Sequence, residues 1–207
     1  MTDARSVGRP RHHDDESERR LLLDGAFNAL RDQGRDFTIN DVLTRAGVST
    51  RSFYRHFESK DALLAAMYTR DAEQAASRLR RRLAECPDPE SAVSAWIDEI
   101  FSFLRVRRRA ERVTVLGSLL GQVNSEFENV AASGRDLLVA PLRDAIAQGI
   151  ASGRFTDADA GLTSELVATS VMHAAGISAG RGTVAQSDQT GTVEFVLRAL
   201  GVGSEGQ

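Results

Sequence analysis

Apolar positions recur at helical spacing along almost the whole chain. Leu22, Ala26, Ala29 and Leu30, with Leu23 and Phe27 alongside, form a first stripe that begins after Ser17 and stops at Gly34. Thr38 then precedes Ile39, Val42, Leu43 and Ala46, a spacing of i, i+3, i+4 and i+7, which predicts a short, capped second helix with one buried face. Ala46-Gly47-Val48 breaks it, because glycine at 47 can take positive φ and reverse the chain. Ser49 is a suitable cap for a third helix, with Val48 placed to staple onto Phe53. Phe53 and Phe57 share one face of that helix and leave Thr50, Arg51, Tyr54 and Arg55 on the other. Ser59 caps a long fourth helix that carries Asp61 in its first turn, continues through Leu63, Leu64, Met67 and Tyr68, and reaches Arg78, Arg80, Arg81 and Arg82.

Cys86-Pro87-Asp88-Pro89 is the clearest linker, since two prolines so close together do not continue a helix. Beyond it, Val93, Trp96, Ile97, Ile100, Phe101 and Leu104 form one stripe, and Val113, Leu116, Leu119, Leu120 and Val123 another. Leu138, Leu142, Ala145, Ile146 and Ile150 form a third, with Pro141 near a helix start or at a kink. Thr156 is the expected cap of the next helix, which holds Leu162, Leu166, Val167, Val171, Met172 and Ala175; Val193, Val196, Leu197 and Leu200 make the last. Gly180 to Gly191, rich in Gly, Ser, Thr and Gln, reads as a mobile loop. The fold class is therefore all-α. Residues 1–16 are a polar, basic arm, 17–62 a three-helix domain, and 63–207 a larger helical domain.

Composition agrees. At 207 residues the chain is long enough for one large or two small domains. Only 6% is aromatic and no β-branched alternating runs occur, which argues against a β-sandwich or barrel. No stretch approaches the roughly 18 apolar residues of a membrane span, and the first residues are too charged for a signal peptide, so a cytoplasmic protein is expected. The single cysteine, Cys86, excludes an internal disulfide framework and a cysteine-based zinc site. His12 and His13 lack spaced carboxylate or cysteine partners, so no metal site is expected. No Ser-His-Asp order, HExxH motif, phosphate loop or paired-carboxylate framework is present; no cofactor and no catalysis are expected.

Two short helices joined by a glycine-bearing turn, packed under a preceding helix, make a helix-turn-helix, whose second helix enters the DNA major groove. The exposed residues suit that task. Arg51 offers a bidentate donor pair to guanine, Thr50 or Ser52 reaches base edges, and Tyr54, His56 and Lys60 suit phosphate oxygens. The run FTINDVLTRAGVSTRSFYRHFESKDALL resembles the DNA-binding domain of the TetR family of transcriptional regulators. It carries the capping Thr38, the Ala46-Gly47-Val48-Ser49 turn, the Phe53-Tyr54 pair, His56, Phe57 and Lys60. The resemblance implies DNA contacts from Thr38, Thr50, Arg51, Tyr54, His56 and Lys60, with Tyr54 and Lys60 on the backbone; Arg55, where the family is variable, is expected to add specificity, and Ser49 and Ser52 are further candidates for DNA contact. It also implies that Arg9 and Arg11 of the arm reach a minor groove, where narrow A·T tracts attract arginine.

The same resemblance implies a homodimer on a pseudo-palindromic double-stranded operator, released by a small-molecule effector in the C-terminal ligand-binding and dimerisation domain, most simply as a repressor. The last two helices are the expected interface, with Ala168, Ala174, Ala175, Gly176 and Ala179 small enough for close approach. Trp96, Phe101, Leu116, Leu120, Phe127, Met172 and His173 are candidates for lining a ligand pocket, although the same stripes would exist in a filled core. The cluster Arg105, Arg107, Arg108, Arg109 and Arg112 fits a solvated helix end better than an anion site for an acyl thioester or phosphate. Competing readings are an activator or ligand-independent regulator, an enzyme or storage domain fused to a DNA-binding module, and an architectural DNA protein. A net charge of -3 weighs against indiscriminate DNA coating. Residues 1–60 nevertheless carry eleven basic against ten acidic side chains, and the positive charge gathers at Arg5 to Arg11 and Arg51 to Lys60.

Overall fold

The computed structural model describes residues 14–120, 125–156, 159–181 and 184–202. The helices are α1 (Asp15–Gln33), α2 (Ile39–Ala46), α3 (Thr50–His56), α4 (Lys60–Ala84), α5 (Pro89–Arg105), α6 (Arg107–Leu120), α7 (Ser125–Ala151), α8 (Ala160–Gly180) and α9 (Gln186–Ala199), with a 3-10 turn at Gly34–Asp36. There is no strand among the described residues. The chain divides into two compact units, one ending at Met67 and one beginning at Tyr68, so α4 starts in the first and continues into the second. Among the described residues no helix is long and apolar enough to cross a membrane. The basic arm, with Arg9 and Arg11, lies outside the described residues.

In the first unit α1 packs along α2, and their approach is close: a Cβ on Gly25 would stand 3.0 Å from the Val42 carbonyl oxygen. Leu22, Leu23, Ala26, Leu30, Phe37, Val42, Phe53, Leu63 and Met67 are buried in this core. Each short helix is held at its ends. Thr38 and Asp41 form a reciprocal capping box on α2, Ser49 accepts the Ser52 N–H at 3.1 Å on α3, and Ser59 accepts the Ala62 N–H at 3.0 Å on α4. Between α2 and α3, Gly47 sits at φ 67 and ψ 31, a left-handed conformation that any side chain strains.

The second unit is built around α5, which packs against α6, α7, α8 and α9. Trp96, Ile97 and Phe101 of α5 are fully buried with Val139, Leu142 and Ile146 of α7 and Val171 of α8. Pro141 neither starts nor ends a helix but lies inside α7. Its missing N–H leaves Leu137 without the usual i→i−4 donor, and the neighbouring Leu138 carbonyl accepts the Trp96 indole N–H at 2.9 Å.

Two expectations are corrected here. Asp159, not Thr156, caps α8, accepting the Leu162 N–H at 3.0 Å. Thr156 instead bonds the Leu200 carbonyl through its backbone N–H at 3.1 Å, tying the end of α7 to the end of α9. Gly180 to Gly191 is not one loop, because α8 reaches Gly180 and α9 begins at Gln186. Its polar residues serve as ties: Ser178 donates to Asp188 at 2.7 Å, and the buried Gln189 bonds both Arg105 and Asp98. Val123, placed on the α6 stripe, lies outside the described residues.

Gly47→Ala is expected to cost about 1 kcal/mol, the strain of a left-handed non-glycine residue, and to lower the denaturation midpoint of the first unit. An unchanged midpoint in urea would show that the turn does not require glycine.

Candidate nucleic-acid interface and cavity

The seven-residue α3 has two faces. Outward, Thr50, Arg51 and Tyr54 are exposed, Tyr54 at 57% with its ring edge-on to the buried Phe53 at 5.2 Å between centroids. Arg51 has no ion-pair partner among the described residues. Ser49 is exposed at the helix start, and Thr38 is exposed at the start of α2 with its hydroxyl engaged by Asp41. Thr38 donates its hydroxyl and backbone N–H to Asp41, both at 2.7 Å, and so holds the Asp41 carboxyl below its ordinary value.

Inward, α3 is tied to α1. The buried Ser52 donates its hydroxyl to the Glu18 carboxylate, and Arg55 pairs with Glu18 and, at 3.3 Å, with Asp15. The His56 Nε2 lies 3.5 Å from the same Glu18 oxygen. Arg55 remains half exposed; the His56 side chain is only 9% exposed. Asp15, Glu18 and His56 bring one ligand atom each within 4.8 Å of one another, but Arg55 already supplies the cation to both carboxylates. Lys60 is drawn inward too: its ammonium donates to the Arg35 carbonyl and, at 2.6 Å, to the Phe37 carbonyl, and stands 4.3 Å over the Phe37 ring. Glu18 is the residue that pattern reading missed. As one acid among several on an exposed helix end, it carries no local signal of its long-range partners.

A cavity of about 340 Å³ lies in the second unit, within the range of small-molecule sites. Tyr68, Asp71, Ala72, Gln74, Ala75 and Arg78 of α4 form one wall, Arg109, Arg112, Val113, Leu116 and Gly117 of α6 another, and Phe103 and Leu138 complete it. Arg112 grips Asp71 bidentately, with its Nη2 2.7 and 2.8 Å from the two carboxylate oxygens. Arg109 donates to Glu99 at 2.9 Å and to Ser102 at 2.8 Å, while Arg82 donates to the other Glu99 oxygen at 3.2 Å. Burial raises the Tyr68 phenol above its ordinary value; burial, then the charge of Arg109, lowers Arg78.

Of the residues proposed from the sequence to line a pocket, Leu116 lines this cavity. Trp96 and Phe101 lie in the core, and the buried Phe127 stacks edge-on against Tyr68 at 5.5 Å. Met172 is half-buried, with its sulfur 3.5 Å from an Arg135 nitrogen, and His173 is exposed on α8. The Leu120 side chain is outside the described residues, as is that of Arg108. The arginine cluster does not act as one: Arg105 bonds Gln186 and Gln189, Arg107 is exposed, and Arg109 and Arg112 turn into the cavity. The α4 wall was readable, since Tyr68, Asp71, Ala72, Ala75 and Arg78 fall at successive spacings of three and four or adjacent to them.

The Ser52 hydroxyl above all, then the charge of Arg55 and the nearby His56, hold the Glu18 carboxyl below its ordinary value of 4.5. A carboxyl depressed in the folded state stabilises fully above its unfolded value, and that stabilisation is lost as pH falls through the folded one. Glu18→Gln is therefore expected to lower Tm near neutral pH, and the gap from the native protein to narrow below pH 4.5. A gap that stays constant across an acid series of thermal melts would rule out this ionic tie.

Residues 22–67 match the family of bacterial regulatory proteins, tetR family. An uncharacterized HTH-type transcriptional regulator of Haemophilus influenzae is 30% identical over 91 residues, 43% of this chain and 44% of that protein; the matched stretch thus spans under half of the relative. A TetR transcription regulator from Haloarcula marismortui superposes with a TM-score of 0.73 at 20% identity, over 90% of this chain and 97% of that one. The regulator FadR from Bacillus subtilis, in complex with stearoyl-CoA, gives 0.70 at 19% identity, over 87% and 96%. These two likenesses show a common fold across both units. The similarity to the bacterial regulatory proteins of the tetR family thus lies in residues 22–67, within the first unit.

Proposed function

We propose that the protein is a ligand-responsive, DNA-binding transcription regulator that acts as a repressor, binding a palindromic operator as a homodimer and leaving it when a small molecule enters the second unit. The observation that carries this reading is the division of α3 into an exposed polar face and a face locked onto α1. Only an anchored helix can present Arg51 to a guanine edge with the geometry that a bidentate bond needs. Thr50 reaches a neighbouring base edge and Tyr54 a phosphate. Lys60 has one of its three N–H donors left for a phosphate after serving two carbonyls. Thr38, Ser49 and Arg55 border the same face.

A dimer is favoured by what α8 leaves uncovered. Leu162 and Leu166 are 60% exposed and Ile177 is 45% exposed, and with His173 and Gly176 they run along one side of the helix; Phe195 of α9 is also 59% exposed. Ala168 and Ala175, expected at the interface, are instead buried in the protomer's own core, so the larger residues provide the contact. Such an apolar stripe on a surface helix is the signature of a partner face. A two-fold dimer must then hold its two α3 helices about 34 to 36 Å apart to meet successive major grooves.

The cavity supports control by a ligand, and the FadR likeness supplies a protein of this fold with a small molecule bound. Because α4 runs unbroken from Lys60 to Ala84, one helix contributes both to the first unit and to the cavity wall. An effector with higher affinity for the state that binds operator poorly lowers operator affinity by that same factor.

Selection from random duplexes over a salt series is expected to enrich one palindromic sequence; no enrichment, with binding wholly salt-dependent, would refute a specific regulator. On the enriched operator, Arg51→Ala should cost about 1 to 3 kcal/mol and flatten preference at one position per half-site. Sedimentation at micromolar concentration should give the dimer mass, and Leu166→Glu the monomer mass; a monomeric native protein would remove the interface.

A further inference from the structure

The cavity is apolar over most of its wall, yet guanidinium groups reach it from two helices. Arg78 of α4 and Arg109 of α6 converge on the Phe103 ring, with their Cζ atoms 5.7 and 5.9 Å from its centroid. The acids nearby are already engaged. Asp71 is held bidentately by Arg112, and Glu99, 8% exposed, accepts from both Arg82 and Arg109. Glu99 stands 3.8 Å from the Arg78 Nε, beyond hydrogen-bond distance, and that Nε is buried without a hydrogen-bond partner. The lining therefore carries more positive than negative charge: Arg78, Arg109 and Arg112 against Asp71.

Resting on the reading of this cavity as the effector site, we propose that it binds a compact amphipathic organic anion. A carboxylate or sulfonate head is held between Arg78 and Arg109, and an apolar body lodges among Val113, Leu116 and Leu138. Two features select that class. An anionic head relieves the mutual repulsion of two guanidinium groups beside one ring. A cation would add a like charge where the acids are spent. The volume, near the lower end of the roughly 300 to 1,000 Å³ typical of ligand sites, fits a small aromatic or medium-chain acid and not a whole nucleotide-bearing thioester.

The test uses the full chain and two fluorescent probes with the same ring system, anilinonaphthalene sulfonate and the uncharged N-phenylnaphthylamine. The sulfonate is expected to bind about tenfold more tightly, as a charge-assisted pair allows. Arg78→Met should bring it to the level of the neutral probe, while Arg78→Lys keeps most of the preference. Gly117→Phe, at a cavity-wall position where an added Cβ meets nothing within 4 Å, should abolish the binding of both probes while leaving the melting temperature near that of the native protein. Equal affinity for the two probes overturns the proposal, as does a sulfonate preference that survives Arg78→Met or a sulfonate titration unaltered by Gly117→Phe. Should Arg78→Met fail to fold, the native comparison and Gly117→Phe still decide. Operator selection on the same samples separates the two readings: its failure overturns the regulator and leaves the anion site, whereas the titrations overturn the anion site and leave the regulator.

Discussion

A helix of seven residues has no stability of its own in water, because nucleation costs more than two turns of hydrogen bonds return. The position of α3 is therefore set by what grips it from outside. Phe53 and Phe57 supply burial, Ser49 satisfies an orphan N–H, and a single carboxylate, Glu18, receives Ser52 and Arg55 and faces His56. Any use of the exposed face rests on that tie. Burial alone would fix the depth of the helix; the directional bonds to Glu18 also fix its rotation about its own axis, and so which side chains point outward.

The second unit solves a different problem by the same means. Its helices carry enough apolar surface to pack without help, and the ionic groups concentrate where packing stops. Glu99 is the centre of that region, joining α4, α5 and α6 through Arg82 and Arg109. A carboxylate this buried is tolerable only with strong donors around it. The result is a polar rim beside an apolar cavity.

Helical periodicity made most of this legible in advance. The stripes of α1, α5 and α8, the caps at Thr38, Ser49 and Ser59, and the turn at Gly47 are local features, written within a few residues of where they act. Errors arose where a distant partner overrode local composition. Gln186 to Gly191 looks like a loop until Ser178, Arg105 and Asp98 supply bonds that hold its polar residues in a helix. Thr156 looks like a cap until the Leu200 carbonyl claims it. Ser52, Arg55 and Lys60 look like free donors because nothing near them in the chain announces Glu18 or the Phe37 carbonyl. Trp96 and Phe101 have the rings expected of a pocket lining but fill the core, whereas Arg109 and Arg112, from a cluster that reads as a solvated helix end, line the cavity.

The two-sided construction of α3 also bears on how such a protein changes over generations. Ser52, Arg55 and His56 are bound to the fold, so a substitution there disturbs the anchoring of the whole helix. Thr50 and Arg51 project from the same seven residues and are exposed. They can be exchanged singly without passing through an unstable intermediate, since surface changes of this kind alter stability little. A lineage can thus rewrite what the outer face meets while the inner face, and with it the register of the helix, is inherited intact.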